Sequence, residues 1–200
     1  TMRNIEIKAK IDDPDDKILR VLQLTKQNGI MKVMKQHDTF FKVREGRLKL
    51  RKFQDGSGEL IYYKRSTKFG PKLSDYEKVT LNKSACNRVA NILSASNGCL
   101  GIVKKTRKLY MIGQTRVHID DVEGLGSFLE LEVRRATRNG SLHIRTFLTD
   151  EQDIETGEKI AQDLMSKLGI KHEDLIANAY IDLLLNESIN GSKKKNREDI

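Results

Sequence analysis

The sequence is poor in cysteine, in long apolar runs and in signals for export, and each shortage excludes a class of protein. Its two cysteines, Cys86 and Cys99, are too few for a disulfide framework and are not spaced as metal ligands, which favours a reducing, cytoplasmic compartment. No apolar run approaches the roughly 20 residues that a membrane-spanning helix requires, and the N-terminus lacks the pattern of a signal peptide. We therefore expect a soluble protein that has no membrane partner.

Two features of phosphate-binding and nucleic-acid-binding proteins are also missing. No Gly-x-x-x-x-Gly-Lys-Ser/Thr loop is present, so phosphates would have to be bound by other elements. Aromatic residues make up 6% of the chain and are not spaced as a stacking platform, which disfavours recognition of single-stranded nucleic acid. An anionic partner is nevertheless expected, because 37 basic residues against 28 acidic ones give a formal net charge of +9.

Charged and apolar residues alternate in several short segments. In residues 5–11 the odd positions are apolar, whereas the even ones are Glu6, Lys8 and Lys10. Because successive side chains of a β-strand point to opposite faces, one face of this strand is suited to a core and the other carries charge. The alternation predicts further strands of this kind where it returns, in residues 47–51, 116–120 and 129–134.

Turn and capping residues separate the predicted strands from four predicted helices. The acidic turn around Pro14 predicts the start of the first helix and Asn28-Gly29 its end, and residues 149–152 form a capping box ahead of a later helix. The predicted helices occupy about residues 14–28, 84–96, 149–169 and 173–185. The predicted strands occupy residues 5–11, 32–41, 43–53, 59–65, 75–81, 101–113, 114–121 and 127–136.

This order of elements predicts an α+β fold, with an antiparallel barrel or strongly curved sheet and helices packed outside it. We expect one domain over residues 2–185. Residues 186–200 lack apolar content and carry the basic run from Lys193 to Arg197, which predicts a disordered tail.

The charged faces of the predicted strands are nearly single-signed. The solvated outer faces of half-buried strands would explain the alternation. However, like charges on neighbouring strands destabilise a sheet, unless a multiply charged anion lies among them. Closing the strands into a barrel would place these faces around a small polyanion. The basic set is Lys8, Lys10, Arg47, Lys49, Arg51, Lys64, Lys78, Lys105, Arg107 and Arg116, and the acidic set is Glu6, Asp120, Glu130 and Glu132.

The acidic set suggests a metal site. Glu130 and Glu132 are two positions apart, so their carboxylates point to the same face of a strand. Together with Glu6 from another strand they would form an oxygen site that suits Mg²⁺ or Mn²⁺. A Glu-x-Glu pair alone is more often a solvated edge, so this prediction depends on the basic strands around it. His118 lies on the charged face, where a structural role and a place near the substrate are both open.

These segments resemble the CYTH domains of the triphosphate tunnel metalloenzymes, which include class IV adenylyl cyclases, thiamine triphosphatases and inorganic triphosphatases. The resemblance covers roughly residues 3–185. It is carried, in the family's order, by residues 4–10, 48–51, 61–64, 105–110 and 118–132. It implies an eight-stranded antiparallel β-barrel, the tunnel, with helices packed outside.

Matching positions imply the site residues. The implied catalytic residues are Glu6, Lys8, Glu130 and Glu132. The implied metal ligands are Glu6, Glu130 and Glu132, with Asp120 in support. The implied phosphate contacts are Lys8, Lys10, Lys49, Arg51, Lys64, Lys105 and Arg107. One position departs from the family, because Asn4 stands where an acid is expected and supplies neither a charged ligand nor a base.

The resemblance implies metal-dependent phosphoryl transfer, with Mg²⁺ or Mn²⁺ as cofactor and a polyanionic triphosphate as substrate. Attack by water would hydrolyse inorganic tripolyphosphate, thiamine triphosphate, a nucleotide or an RNA 5′-triphosphate. Attack by a ribose 3′-hydroxyl would instead make cyclic AMP from ATP, as an adenylyl cyclase does. The sequence shows no clear pocket for a nucleotide base, which favours hydrolysis. A non-catalytic module that binds triphosphates or RNA ends is a third alternative, and the chain is expected to be a monomer or a homodimer.

Overall fold

Eight antiparallel strands form the body of the computed structural model, which describes residues 2–25, 32–65, 71–134 and 150–198. They pair in the order β1-β5-β4-β3-β2-β6-β7-β8, and β8 pairs again with β1, so the sheet closes into a barrel. The predicted antiparallel barrel is confirmed. The strands are β1 (Met2–Lys10), β2 (Lys32–Phe41), β3 (Arg47–Lys52), β4 (Gly58–Arg65), β5 (Lys72–Leu81), β6 (Cys99–Ile112), β7 (Thr115–Val122) and β8 (Gly126–Arg134).

The helices lie outside the barrel wall, as predicted. The side chain of Asp13 caps the first of them by accepting a hydrogen bond from the Asp16 amide at 2.9 Å. Within the described ranges, no helix has the length and apolar character needed to cross a membrane. The helices are α1 (Pro14–Leu24), α2 (Lys83–Ser96), α3 (Asp150–Lys167) and α4 (Tyr180–Glu198), with a short 3₁₀ helix at His172–Asp174 before α4.

Two predicted helix boundaries need correction. Helix α1 ends at Leu24, and the predicted stop at Asn28-Gly29 lies outside the described residues. Helix α4 begins at Tyr180 and continues to Glu198, where a disordered tail was expected. Its first turns are anchored by buried side chains such as Ile181, and extending an anchored helix adds hydrogen bonds without a second nucleation cost. The domain boundary at residue 185 stays a prediction.

The apolar core lies between the barrel wall and the helices. Ile7 of β1 and Leu131 of β8 point outward, and they pack in one cluster with Val21 of α1 and Leu164 of α3. This burial is the hydrophobic contribution that holds the helices on the wall. The alternation of side chains then requires the charged residues of the same strands to face the inside of the barrel.

Candidate functional site

The charged strand faces line a cavity of about 420 Å³ inside the barrel. This volume falls in the range of roughly 300–1,000 Å³ that is typical of small-ligand sites. All eight strands and the start of α4 contribute side chains. The basic lining residues are Lys8, Lys32, Lys49, Arg51, Lys78, Lys105, Arg107 and Arg116, and the acidic ones are Glu6, Asp38, Glu59, Glu130 and Glu132.

Asp38 on β2 holds two cations of the neighbouring strand β3. Its carboxylate accepts hydrogen bonds from Arg51 Nε at 2.8 Å and from Arg51 Nη2 at 2.7 Å. Lys49 Nζ donates to Asp38 Oδ2 at 2.9 Å. Asp38 and Arg51 are directly opposite in the β2–β3 register, so strand pairing sets this contact. Two cationic groups are therefore fixed in place in the cavity wall before any anion enters.

Burial shifts the protonation of two lysines in the cavity. Burial and the neighbouring Arg51 lower the pKa of Lys49 to about 7, against the opposing effect of Asp38. Burial and Arg107 lower the pKa of Lys105 to about 8. Burial alone would raise the pKa of Asp38, but Arg51 and Lys49 hold it well below its usual range. These lysines therefore exchange protons near neutral pH, and a bound anion would favour their charged forms.

Asp120 anchors a second cationic group from beneath the cavity surface. Arg107 Nε and Nη2 donate to its two carboxylate oxygens at 2.6 and 2.5 Å, and Lys105 Nζ lies 3.3 Å from Asp120 Oδ2. The Tyr180 hydroxyl donates to the same Oδ2 at 3.0 Å. Burial alone would raise the pKa of Asp120, but Arg107 and Lys105 lower it to about 2. The carboxylate is therefore ionised and acts as an internal partner of these cations.

Glu130 joins residues of three strands. Its carboxylate lies 3.2 Å from Lys8 Nζ, accepts a short hydrogen bond from Arg107 Nη2, and lies 3.9 Å from His118 Nδ1. Burial opposes ionisation of Glu130, but Arg107 and Lys8 hold its pKa well below the usual range. Burial and Arg107 lower the pKa of His118, so the imidazole is neutral. Glu130 thus positions cations, which is the same role that Asp38 and Asp120 have.

Glu6 and Glu132 provide the best-matched pair for a divalent cation. They are directly opposite in the β1–β8 register and both line the cavity. Arg116 Nη1 lies 3.5 Å from Glu132 Oε2. Facing carboxylates repel, and Mg²⁺ is usually bound by one or two carboxylates with water and substrate phosphates. Among the residues that the structure describes, no three His, Cys, Asp or Glu side chains are grouped as a metal site. The two facing carboxylates would fit such an ion only if water or another oxygen donor supplied the rest of its ligands.

Two buried polar atoms in the cavity wall have no hydrogen-bond partner among the described residues. They are Gln36 Oε1 and His118 Nδ1. Their side chains belong to residues that are 4% and 5% exposed. Buried polar atoms in native proteins are nearly always paired with protein, water or ligand. Water or a polar molecule in the cavity would supply the missing partners.

Most of the site residues predicted from the sequence come together in the cavity lining. These are Glu6, Lys8, Lys49, Arg51, Lys105, Arg107, Glu130 and Glu132. Asp120 lies behind them with no exposed surface, and it contacts the cavity lining through Arg107, Lys105 and Tyr180. The structure thus brings together two predicted groups, the basic residues and the acidic residues, around one cavity.

Two predicted phosphate contacts do not reach the cavity. Lys64 lies on the outer face of β4, where it is 55% exposed and its Nζ donates to Glu45 at 2.6 Å. Lys10 has the same orientation as Lys8 but stands at the end of β1. Its Nζ bonds to the carbonyl oxygen of Leu125, and it lies 4.5 Å from the centroid of the Phe128 ring. The structure therefore corrects the predicted set of phosphate contacts, because both lysines lie outside the cavity lining.

Sequence reasoning missed Asp38 and Tyr180. Asp38 alternates with Gln36 and Phe40, so its strand did carry a signal for an interior-facing carboxylate. Tyr180 had no local signal, because its place in the cavity wall depends on how α4 packs against the barrel. Asn4 aligns with Ser74 in one neighbouring strand and with Arg134 in the other.

Comparisons with known proteins agree with this architecture. The family model described as the CYTH domain matches residues 2–180. A protein of Methanocaldococcus jannaschii named "Putative adenylate cyclase MJ0240" is 26% identical over an alignment of 199 residues, and the match covers 91% of this chain and 98% of that protein.

Two solved structures share the fold at low sequence identity. One, titled a "putative adenylate cyclase" from Vibrio parahaemolyticus, has a TM-score of 0.70 at 16% identity and covers 92% of this chain and 98% of its own. The other is the S. pombe Pct1 RNA triphosphatase in complex with the Spt5 CTD. It has a TM-score of 0.50 at 11% identity and covers 84% of this chain and 85% of its own. The two titles name different activities, so the shared fold alone does not select one.

Proposed function

The chain belongs to the CYTH domain family, and from this premise we propose that it is a divalent-metal-dependent triphosphatase. The observation that carries the proposal is the cavity itself, in which eight basic side chains and five acidic ones surround about 420 Å³. Basic groups held by internal carboxylates are arranged to bind phosphate oxygens, and the facing carboxylates of Glu6 and Glu132 line the same cavity, where they would ligate a metal. An inorganic or organic triphosphate meets both requirements.

In the proposed function, the substrate is bound by cationic groups that internal carboxylates hold in place before the substrate arrives. Arg51 and Lys49 are held by Asp38, and Arg107 and Lys105 are held by Asp120. Donors that are fixed in place stabilise the charge that develops on phosphoryl oxygens without reorganising during the reaction. These four residues, with Lys8, are the proposed phosphate contacts.

Glu6 and Glu132 would hold the divalent ion. When bound, such an ion supplies positive charge to the phosphate oxygens and lowers the pKa of a coordinated water. In the proposed reaction, water attacks the terminal phosphorus while the bond to the bridging oxygen breaks, which releases phosphate and a diphosphate-bearing product. The basic residues of the cavity stabilise the leaving oxygen by charge.

Cyclisation of ATP is the second candidate. The relative from M. jannaschii carries an adenylate cyclase name. The cavity lining also includes the apolar side chains of Met34, Phe53 and Leu109, which a nucleobase could contact. In this reaction the ribose 3′-hydroxyl attacks the α-phosphorus and pyrophosphate leaves. The two reactions use the same cations and differ in the nucleophile.

Product analysis separates these functions. The protein is incubated with tripolyphosphate, thiamine triphosphate, ATP and 5′-triphosphorylated RNA, each with Mg²⁺ or Mn²⁺, and phosphate, pyrophosphate and cyclic AMP are measured. Release of phosphate supports the triphosphatase, whereas cyclic AMP with pyrophosphate replaces it with a cyclase. Binding of these anions without turnover of any of them would leave only a binding module.

A pair of variants tests the metal assignment. Glu132→Gln is expected to lower metal-dependent turnover at least a hundredfold, because a neutral amide is a poor ligand for a hard divalent ion. Glu123→Gln is the matched control, since Glu123 is 71% exposed on the outside and pairs only loosely with Lys104 at 3.7 Å. Equal activity of the two variants would remove Glu132 from the site.

A further inference from the structure

The ring of Tyr180 is a contact surface for two of the cavity's lysines. Lys8 Nζ lies 3.7 Å from the ring centroid, and Lys105 Nζ lies 4.9 Å from it. Both distances are within the approximate 6 Å limit at which an ammonium group is attracted by the negative face of an aromatic ring. Lys8 comes from β1 and Lys105 from β6, so the ring brings together cations from strands that are not neighbours in the barrel.

The hydroxyl group of Tyr180 connects the ring to the carboxylate beneath the cavity. It donates to Asp120 Oδ2 at 3.0 Å, and the same oxygen accepts from Arg107. Burial, together with Glu130 and Asp120, raises the pKa of Tyr180 well above its usual value, so the hydroxyl keeps its proton and acts as a donor. One side chain thus contacts two lysines and the aspartate that holds their arginine neighbour.

Tyr180 itself is held firmly, although it belongs to a helix outside the barrel. The residue is 6% exposed and packs edge-on against Phe128 with the ring centroids 4.8 Å apart. Asp182, in the same first turn of α4, accepts a hydrogen bond from Arg47 Nη2 of β3 at 2.7 Å. The first turn of α4 is therefore fixed to the barrel on two sides of the tyrosine.

An aromatic ring restrains a lysine differently from a carboxylate. It attracts the ammonium group by its quadrupole and adds no negative charge that a phosphate would have to displace. Lys8 and Lys105 each also lie near a carboxylate, at 3.2 Å from Glu130 and at 3.3 Å from Asp120, and the ring restrains them further without adding a second negative charge. A lysine that is held only by a carboxylate has part of its charge already neutralised.

We propose that Tyr180 is a positioning residue of the triphosphate site, whose ring face sets where the ammonium groups of Lys8 and Lys105 stand when the polyanion binds. The inference rests on the proposed function, since it assigns these lysines to phosphate binding. It also makes the attachment of α4 to the barrel a condition for tight binding, because the ring reaches the cavity only from the first turn of that helix.

The test measures binding of tripolyphosphate by calorimetry, with the full chain and without divalent metal. Tyr180→Phe keeps the ring and is expected to bind within about threefold of the wild type. Tyr180→Leu removes the ring and is expected to bind roughly tenfold to a hundredfold more weakly, since it loses two buried cation–ring contacts. Tyr110→Leu is the matched control, because Tyr110 is also fully buried but packs in the outer core and not in the cavity.

A second variant separates the electrostatic effect of the ring from its effect on packing. Pentafluorophenylalanine at position 180 has nearly the shape of phenylalanine but a reversed ring quadrupole, so its face repels an ammonium group. It is expected to bind tripolyphosphate at least fivefold more weakly than Tyr180→Phe, with the native fold retained by circular dichroism. A residue that only fills space would show no such difference.

The outcomes separate the inference from the function on which it rests. Equal affinity of the phenylalanine and pentafluorophenylalanine proteins would overturn the role of the ring. Equal weakening by Tyr180→Phe and Tyr180→Leu would also overturn it, because the hydroxyl bond to Asp120 would then carry the effect. If the wild-type protein binds no triphosphate, the proposed function fails and the inference fails with it.

Discussion

The pH dependence of anion binding gives a quantitative test of the site, because Lys49 titrates with a pKa of about 7 in the free protein. A bound triphosphate favours the charged lysine, so binding above this pKa requires the uptake of a proton. The fraction of free protein with protonated Lys49 falls roughly thirtyfold between about pH 6 and pH 8.5, which corresponds to about 2 kcal/mol of binding free energy. The affinity for triphosphate is therefore expected to fall as pH rises.

The comparison variant for this experiment is Lys49→Arg, because a guanidinium group stays charged over the whole range. Calorimetric titration with tripolyphosphate across this range is expected to show that the affinity of the wild type, relative to the variant, falls roughly thirtyfold from low to high pH. The ionisation of free tripolyphosphate is common to both proteins and cancels in this ratio. If the affinities of the two proteins changed with pH in parallel, the prediction would fail. Lys49 would then either have an ordinary pKa or not contact the anion.

Two further predictions concern the wall of the barrel. Asp38→Asn leaves Arg51 and Lys49 buried without their carboxylate. It is expected to lower the free energy of unfolding, measured by urea denaturation, by about 3 kcal/mol. A change below about 1 kcal/mol would mean that solvent reaches these cations freely. Lys64→Ala is expected to leave tripolyphosphate affinity within about twofold of the wild type, because its side chain is 55% exposed on the outer face. A tenfold loss in that variant would restore Lys64 to the site.

The strands could be predicted because alternation is a local property. The segment of residues 5–11 shows which side chains share a face, and the structure confirms that Ile5, Ile7 and Ala9 are buried under helices while Glu6 and Lys8 face inward. Strand ends were less accurate, since pairing with neighbours decides them. The extent of α4 could not be predicted from composition, because its beginning is stabilised by packing against distant strands.

Site residues could be predicted only in strands where one face is clearly apolar and the other clearly charged. Around Lys64 the residues Leu60 to Tyr63 are apolar or aromatic on both faces, so the pattern does not show which face points inward. The orientation follows instead from the pairing of β3 with β4, which aligns Lys49 with Ile61. Tyr180 could not be predicted for a different reason. Its contact with Lys8 joins residues 172 positions apart, and such a contact produces no pattern in the local sequence.

The carboxylates of Asp38, Asp120 and Glu130 act as counterions that are built into the wall of the cavity. A basic surface patch gathers mobile ions from solution, and the release of those ions makes its affinity fall steeply with salt. Here the counterions are covalently part of the chain and are not released when a polyanion binds. Affinity for a small triphosphate should therefore depend weakly on ionic strength. A polyanion that bound only to the basic outer surface would instead lose affinity steeply as salt rises.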